Sequence, residues 1–164
     1  MFGLIKKYSV HMCSEVKGVL TLNGAPVEGA LIKRNLLFAH KVEKEDQVTT
    51  GYDGSFYLPE VVIDSKIPGD MFSHVLTYQV VRAIYDNGEY ELWNSELRGN
   101  DEYEEYKQKL FSLNADLISP NVEFLFPNHN NPNLGFYGST ICRWDNDFEI
   151  YENEDNDADY FKDF

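Results

Sequence analysis

The clearest structural signal in this chain lies in residues 18–30, which read G-V-L-T-L-N-G-A-P-V-E-G-A. The first five residues suit an extended strand. Asn23-Gly24 favours a tight hairpin turn, because both residues tolerate a positive φ. Gly29 and Ala30 allow two backbone segments to approach closely. The stretch therefore predicts a strand, a hairpin turn and a second strand that begins at Ala30.

The same pattern of short strands and turns continues on either side of this hairpin. Asp53-Gly54 and Asp86-Asn87-Gly88 predict further hairpin turns. The predicted strands are residues 8–12, 16–22, 30–38, 48–52, 55–58, 77–85, 89–93, 122–126 and 137–144, and the predicted exposed loops are residues 41–47 and 127–135. This spacing, without a long helical period, favours a mainly β fold, an antiparallel β-sandwich.

One segment breaks the pattern and predicts a short helix over residues 100–113. Tyr103, Tyr106, Leu110 and Leu113 recur at spacings typical of one helix face. Asn100 can cap the helix, and the acidic residues that follow it suit the positive end of the helix dipole.

Charge divides the chain into two parts. Its 164 residues carry 14 basic and 28 acidic side chains, a net charge of −14. Residues 145–164 hold nine of the acids and one lysine, which leaves −6 for the rest. We therefore predict a β-sandwich domain at 1–144 and an acidic segment at 145–164. This charge argues against binding to nucleic acid, whose phosphates need a basic surface.

Cysteine use and hydropathy indicate a cytoplasmic protein. Cys13 and Cys142 are too few for a disulfide scaffold. Two buried, reduced thiols are the main expectation, and a single bond between them is the alternative. The N-terminus does not read as a secretory signal, and no apolar run reaches the length of a membrane span.

The sequence gives no reason to expect an enzyme. Gly138-Ser139-Thr140 lacks the second glycine of a nucleophile elbow, and no glycine-rich phosphate loop is present. Neither cysteine has the basic context that favours a thiolate. A small hydrolase that uses His11 or His129 remains a third hypothesis.

No metal or cofactor is expected either. His11-Met12-Cys13 supplies two ligand types, but no third ligand follows at zinc-site spacing. Asp155, Asp157 and Asp159 imitate the first positions of a calcium loop. Tyr160 then stands where that loop needs glycine, so a dedicated calcium site is not expected.

The acidic segment is the candidate binding surface. Its carboxylates would attract a basic protein, and its aromatic side chains would anchor the contact. A solvated tail that only maintains solubility is the alternative. The candidate partner-binding residues are Asp145, Asp147, Glu149, Tyr151, Glu152, Glu154, Asp155, Asp157, Asp159, Tyr160 and Phe161.

The N-terminal half resembles transthyretin-like and carboxypeptidase-regulatory-like β-sandwich domains. The resemblance covers about residues 15–60. It rests on residues 18–24, Pro26-Val27, Gly29-Ala30, Thr49-Thr50, Asp53-Gly54, Phe56 and Leu58-Pro59. It implies a fold and not a function, because one fold hosts many roles.

A second resemblance covers more of the chain. Residues 1–4, 7–10 and 138–144 are similar to a family of small proteins of Gram-negative bacteria. Some members look like immunity proteins encoded beside antibacterial toxins, including type VI secretion effectors. The resemblance implies a cytoplasmic inhibitor of a toxin that acts in the cytoplasm, and no site residues. The alternative is an accessory or structural interaction module without a toxin-inhibiting role.

Overall fold

The structure, a computed structural model, describes residues 6–151. Most of the regular structure in this range is β. The strands are β1 (Tyr8–Cys13), β2 (Val16–Leu22), β3 (Ala25–Pro26), β4 (Leu31–Phe38), β5 (Val42–Thr49), β6 (Ser55–Leu58), β7 (Val61–Ser65), β8 (Leu76–Tyr85), β9 (Gly88–Arg98), β10 (Ala115–Asp116), β11 (Val122–Phe126), β12 (Phe136–Thr140) and β13 (Glu149–Tyr151). The α-helix of the described range, α1, spans Glu104–Leu110, and a 3₁₀ turn covers Ile67–Gly69.

The strands form two layers. One layer is a seven-stranded antiparallel sheet with the order β13-β11-β12-β9-β8-β4-β5. The second layer holds the β1-β7 pair and the strands around β2, which pairs with β3, β6 and β10. The β2–β10 pairing is parallel, whereas the other pairs are antiparallel. The prediction of a mainly β, antiparallel sandwich with a short helix is confirmed.

The core lies between the layers because alternate residues of the long strands face inward. In β4 every second residue is buried, from Ile32 to Phe38. A bulge in β9 lets the neighbouring residues Leu92 and Trp93 both reach the interior. The Trp93 ring lies 5.6 Å from the rings of Tyr106 and Phe124, which joins α1 to the sheet.

Buried polar side chains connect the two layers. The amide of Gln79 in β8 donates to the carbonyl oxygen of Met12 at 2.8 Å and accepts from the Trp93 indole at 3.1 Å. Arg34 in β4 is fully buried and donates to the carbonyl oxygen of Pro59 at 2.7 Å. These bonds attach the smaller layer to the sheet, since the Gln79 amide and the Arg34 guanidinium both donate to its backbone carbonyl oxygens.

The prediction of an exposed loop at residues 41–47 is wrong. This segment belongs to β5, which pairs with β4 along its whole length. β5 is an edge strand with mostly exposed side chains, so it can carry charged residues that resemble a loop in sequence.

The predicted helix is present but begins later than expected. Its N-cap is Tyr103, and α1 ends at Leu110, inside the predicted range of 100–113. Asn100 does not cap it, and its carbonyl oxygen accepts a hydrogen bond from the amide of His11 at 3.0 Å. Strands β7, β10 and β13 were not predicted, because two or three residues of extended chain leave little periodic signal and β7 follows a proline.

The hairpin turn at Asn23-Gly24 forms as predicted, with φ values of 50° and 83°. The carboxylate of Asp116, which lies in β10, holds this turn. It accepts hydrogen bonds from the amides of Asn23 at 3.0 Å and Gly24 at 2.9 Å, and from the hydroxyl of Thr21 at 2.9 Å. The turn is therefore stabilised from a distant part of the chain as well as by its own residues.

Acid is expected to remove the stabilisation that Asp116 supplies. Desolvation raises the pKa of this carboxyl, but the hydrogen bonds from Gly24, Ile118, Thr21 and Asn23 outweigh it and lower the pKa to about 2. The unfolded value is about 3.9. A carboxyl whose folded pKa is depressed stabilises the fold above the unfolded pKa, and loses this effect as the pH falls through the folded one.

Asp116→Asn is therefore expected to lower the free energy of unfolding by about 1–2 kcal/mol at pH 7, since the neutral amide accepts these bonds less well. The difference from the wild type should shrink between about pH 4 and pH 2. Urea unfolding across this range measures it, with Asp64→Asn in β7 as the control. A difference that stays constant down to pH 2 would contradict the role assigned to Asp116.

Candidate functional site

The structure distributes the described part of the acidic segment over two places. Asp145 and Asp147 line a pocket beside α1. Glu149 and Tyr151 belong to β13, which pairs with β11 at the edge of the seven-stranded sheet. The remaining candidates lie outside the described residues: Glu152, Glu154, Asp155, Asp157, Asp159, Tyr160 and Phe161.

The acidic segment begins against the core. Phe148 packs on Phe124 and Trp144, with ring centroids 5.5 Å and 5.4 Å apart. Ile150 pairs with Phe124 across the β11–β13 ladder. Residues 148–151 are thus attached to the sandwich, and the first carboxylates of the segment hold fixed positions on its surface.

A buried lysine marks the pocket beside α1, which we call the lysine pocket and define by Glu105, Lys109, His129, Trp144 and Asp147. Its volume is about 330 Å³. The Lys109 ammonium lies 5.0 Å from the centre of the Trp144 ring. Desolvation lowers the pKa of Lys109, and the nearby Asp147 opposes this effect.

His129 and its neighbours bind the start of the acidic segment to α1. The backbone amide of His129 donates to the Glu105 carboxylate at 2.9 Å. The His129 ring lies 3.4 Å from the carboxylate of Asp147. Lys109 donates to the carbonyl oxygen of Asn146 at 3.4 Å. These contacts hold the turn at residues 145–147 in place, which is a structural use of the groups.

A larger groove opens on the outer face of the seven-stranded sheet. We call it the aromatic–acidic groove and define it by Glu96, Tyr103, Glu123, Tyr137 and Tyr151. Its volume is about 690 Å³. Strands β9 and β12 pair only at Ser95–Gly138 and Asn94–Ser139. Residues of both strands line the groove.

Strand register puts four of the five defining side chains of the groove on one face, and Tyr103 is the residue outside the strands. Tyr151 pairs with Glu123, Glu123 pairs with Ser139, and Ser139 pairs with Asn94. Paired residues in an antiparallel sheet share a face, and residues two apart on one strand share it as well. Tyr137 and Glu96 therefore lie on the same side as this row.

The groove is both aromatic and negatively charged. Tyr137 is 61% exposed and Tyr151 is 50% exposed, so both rings are available at its rim. Glu96 and Glu123 line it, and Arg98 supplies one opposing charge. Glu149 shares the face, one strand away from Glu123. Tyrosine is enriched at surfaces that bind proteins, and the carboxylates beside these tyrosines give the surface a negative charge that would attract a basic partner.

A third cluster surrounds His11. Its Nδ1 lies 3.1 Å from a carboxylate oxygen of Glu60, and its Nε2 lies 3.2 Å from the hydroxyl oxygen of Ser14. Ser14 in turn donates to Glu102 at 2.9 Å. Within the described range, His11, Glu60 and Glu102 are also a group that could offer ligand atoms to a metal.

This cluster differs from the metal candidate considered in the sequence. The group contains Glu60 and Glu102 with His11, whereas Cys13 is not part of it and its thiol interacts with Arg34. Both ring nitrogens of His11 already have oxygen partners. The sequence does not predict the contacts of Glu60 and Glu102 with this cluster, because both residues are remote from His11 along the chain.

Both cysteines are buried free thiols. Burial raises the pKa of Cys13 to about 11 and the pKa of Cys142 to about 12. Each thiol is therefore protonated at neutral pH, and the protonated form is a poor nucleophile. This agrees with a structural role in the core.

These features define the class of protein. It is a two-layered, mainly β domain with an open aromatic–acidic groove. The chain belongs to a family described as a domain of unknown function, DUF6795, which matches residues 16–120. No curated protein and no solved structure matches the chain significantly. The matched region includes Glu96 and Tyr103, whereas the other three residues of the groove follow it.

No helix within residues 6–151 has the length and apolar character that a membrane span requires.

Proposed function

We propose that this chain is a non-enzymatic binding protein, an immunity protein that neutralises an antibacterial toxin acting in the cytoplasm. The aromatic–acidic groove and the carboxylates beside it are the observation that carries the proposal. Carboxylates steer a basic partner towards the surface, and exposed tyrosines supply contact area at low entropic cost. The resemblance to the immunity-protein family suggests the class of the partner, an antibacterial toxin.

The proposed charge relation has a physical basis. A toxin that acts on nucleic acid needs a basic cleft to hold phosphates. An acidic inhibitor can occupy that cleft, since its carboxylates replace the phosphates as counter-charges. Asp145, Asp147 and Glu149 are the described members of the acidic segment that would take part, with Tyr151 as an aromatic anchor.

We also propose that the sandwich is of the transthyretin-like type. The turn glycines of the resemblance support this, because Gly24 and Gly54 have φ values of 83° and 78°. Gly18 supports it further, since the backbone of Leu113 lies directly against it. These glycines occupy positions where a side chain would be strained or would clash.

Growth protection tests the immunity function. The chain is expressed in a sensitive bacterial host together with the product of the gene adjacent to its own. We expect the adjacent product alone to stop growth and the wild-type chain to restore it. Neutralising three carboxylates, Asp145→Asn, Asp147→Asn and Glu149→Gln, should weaken the complex about tenfold or more and reduce protection, because the charges act on association.

A matched variant controls for total charge. Glu28→Gln, Glu43→Gln and Asp64→Asn remove the same charge from other exposed positions and should leave protection intact. Thermal unfolding verifies that both variants are folded. A wild-type chain that fails to protect would overturn the proposal. A harmless neighbour, with a stable homo-oligomer that buries the acidic segment, would favour the accessory module instead.

A further inference from the structure

The aromatic–acidic groove has the chemistry of a receptor for a guanidinium group. We propose that it is the docking site for an extended, arginine-bearing segment of a partner protein. The inference deepens the proposed function and rests on it for the identity of the natural partner. The charges of the groove, its rings and its size support this partner.

The charges on this part of the sheet favour a cation. Four carboxylates occupy the outer face across β13, β11 and β9: Glu149, Glu123, Glu91 and Glu96. Two of the four, Glu96 and Glu123, line the groove, and Arg98 is the cation that lines it with them. A positively charged side chain would enter a negative field here, whereas an acidic or phosphorylated segment would be repelled.

The rings favour arginine over lysine. Tyr103 lines the groove with its ring 5.3 Å from that of Phe136, and the exposed rings of Tyr137 and Tyr151 line it as well. A planar guanidinium can stack on a tyrosine ring and donate two parallel hydrogen bonds to a carboxylate at the same time. A lysine ammonium offers a point charge and cannot make both contacts in one plane.

The size of the groove favours a short segment of chain. Its volume of about 690 Å³ exceeds what a single arginine side chain fills, so the groove has room for neighbouring residues of the partner. Leu134, which is 62% exposed at the rim, gives an apolar contact for such a neighbour. An extended peptide along the open face would cover the exposed tyrosines as it binds.

A peptide titration of the full chain tests the proposal. Two-dimensional NMR of the isotope-labelled protein detects binding at each step of the titration. The probes are three blocked pentapeptides, Gly-X-Leu-X-Gly, with X as arginine, lysine or citrulline. Citrulline keeps the shape of arginine and removes its charge. We expect the arginine peptide to shift the amide resonances of Tyr137, Gly138 and Ser139, and to bind about tenfold more tightly than the citrulline peptide.

Variants locate the contact. Glu96→Gln with Glu123→Gln should weaken the arginine peptide about tenfold, and Tyr137→Ala should weaken it severalfold. Glu43→Gln with Glu45→Gln makes the same charge change at the β5 edge of the same sheet face, and should leave binding unchanged. Equal binding of arginine and citrulline, equal binding of lysine, or shifts confined to residues outside the groove would overturn the proposal.

The growth assay separates this inference from the function on which it rests. If Glu96→Gln with Glu123→Gln protects the host as well as the wild type, the groove proposal fails and the immunity function stands. If the wild type binds the arginine peptide in the groove and does not protect, the immunity function fails and the groove remains a receptor for arginine.

Discussion

Replacing Gly18 with alanine is expected to lower the free energy of unfolding by about 3 kcal/mol or more, at the upper end of what overpacking costs. A Cβ at this position would lie 2.6 Å from the carbonyl carbon of Leu113 and 2.7 Å from the Phe56 ring. The Leu113 backbone cannot retreat freely, because its amide donates to the carbonyl oxygen of Lys17 at 2.8 Å. The added methyl group must therefore separate β2 from the segment that follows α1.

Urea unfolding followed by tryptophan fluorescence measures the loss. Gly51→Ala is the matched control, because the nearest atom to its new Cβ would be a side-chain oxygen of Asp53 at 3.4 Å, an ordinary contact. We expect the control to change stability by less than about 0.5 kcal/mol, as do most substitutions at exposed positions without special contacts. Equal effects of the two alanines would contradict the close approach at Gly18.

The fold was accessible from the sequence where its signals are local. Asn23-Gly24 and Asp86-Asn87 both adopt the positive φ values that their hairpin turns require. The strand predicted at residues 30–38 is also present, as β4. Such features depend on a few neighbouring residues, so sequence patterns carry them well.

The sequence could not predict features that depend on contacts between distant segments. The groove combines residues of β9, β11, β12 and β13 with Tyr103, and nothing in the spacing of Glu96 and Tyr137 indicates that they meet. The acidic segment is conspicuous in the sequence because its charges lie close together along the chain. The carboxylates of the outer sheet face are far apart in the sequence. Only the strand register places them on one face, through pairs such as Glu123 and Ser139.

The same reason explains how the edge strand β5 was missed. Its partner β4 lies on one side only, and its charged side chains face solvent. Asp46 is the exception in this strand, because it pairs with Arg34 and turns towards the inner face. The sequence does not distinguish the inward carboxylate of Asp46 from the exposed charges around it, although Asp46 pairs with the buried Arg34.

Asp46→Ala is accordingly expected to lower the free energy of unfolding by about 3–4 kcal/mol, since it leaves a buried charge without its partner. Arg34 is fully buried and donates to both carboxylate oxygens of Asp46, at 2.9 Å and 2.6 Å. Urea unfolding at pH 7 measures the loss. The neighbouring pair Lys33–Glu45 has a contact of 3.0 Å on the exposed face, so Glu45→Ala should have a much smaller effect.

A double variant distinguishes a lost attraction from an uncompensated charge. In the double variant Arg34→Met with Asp46→Leu, the first change removes the cation that the second would leave unpaired. We therefore expect the double variant to lose about 1–2 kcal/mol less free energy of unfolding than Asp46→Ala alone. Recovery should be incomplete, because the carbonyl oxygens of Ser14 and Pro59 lose the donor that Arg34 supplies. If the double variant is less stable than Asp46→Ala, then the bonds from Arg34 to the smaller layer outweigh its pairing with Asp46, and the buried charge is not the main cost.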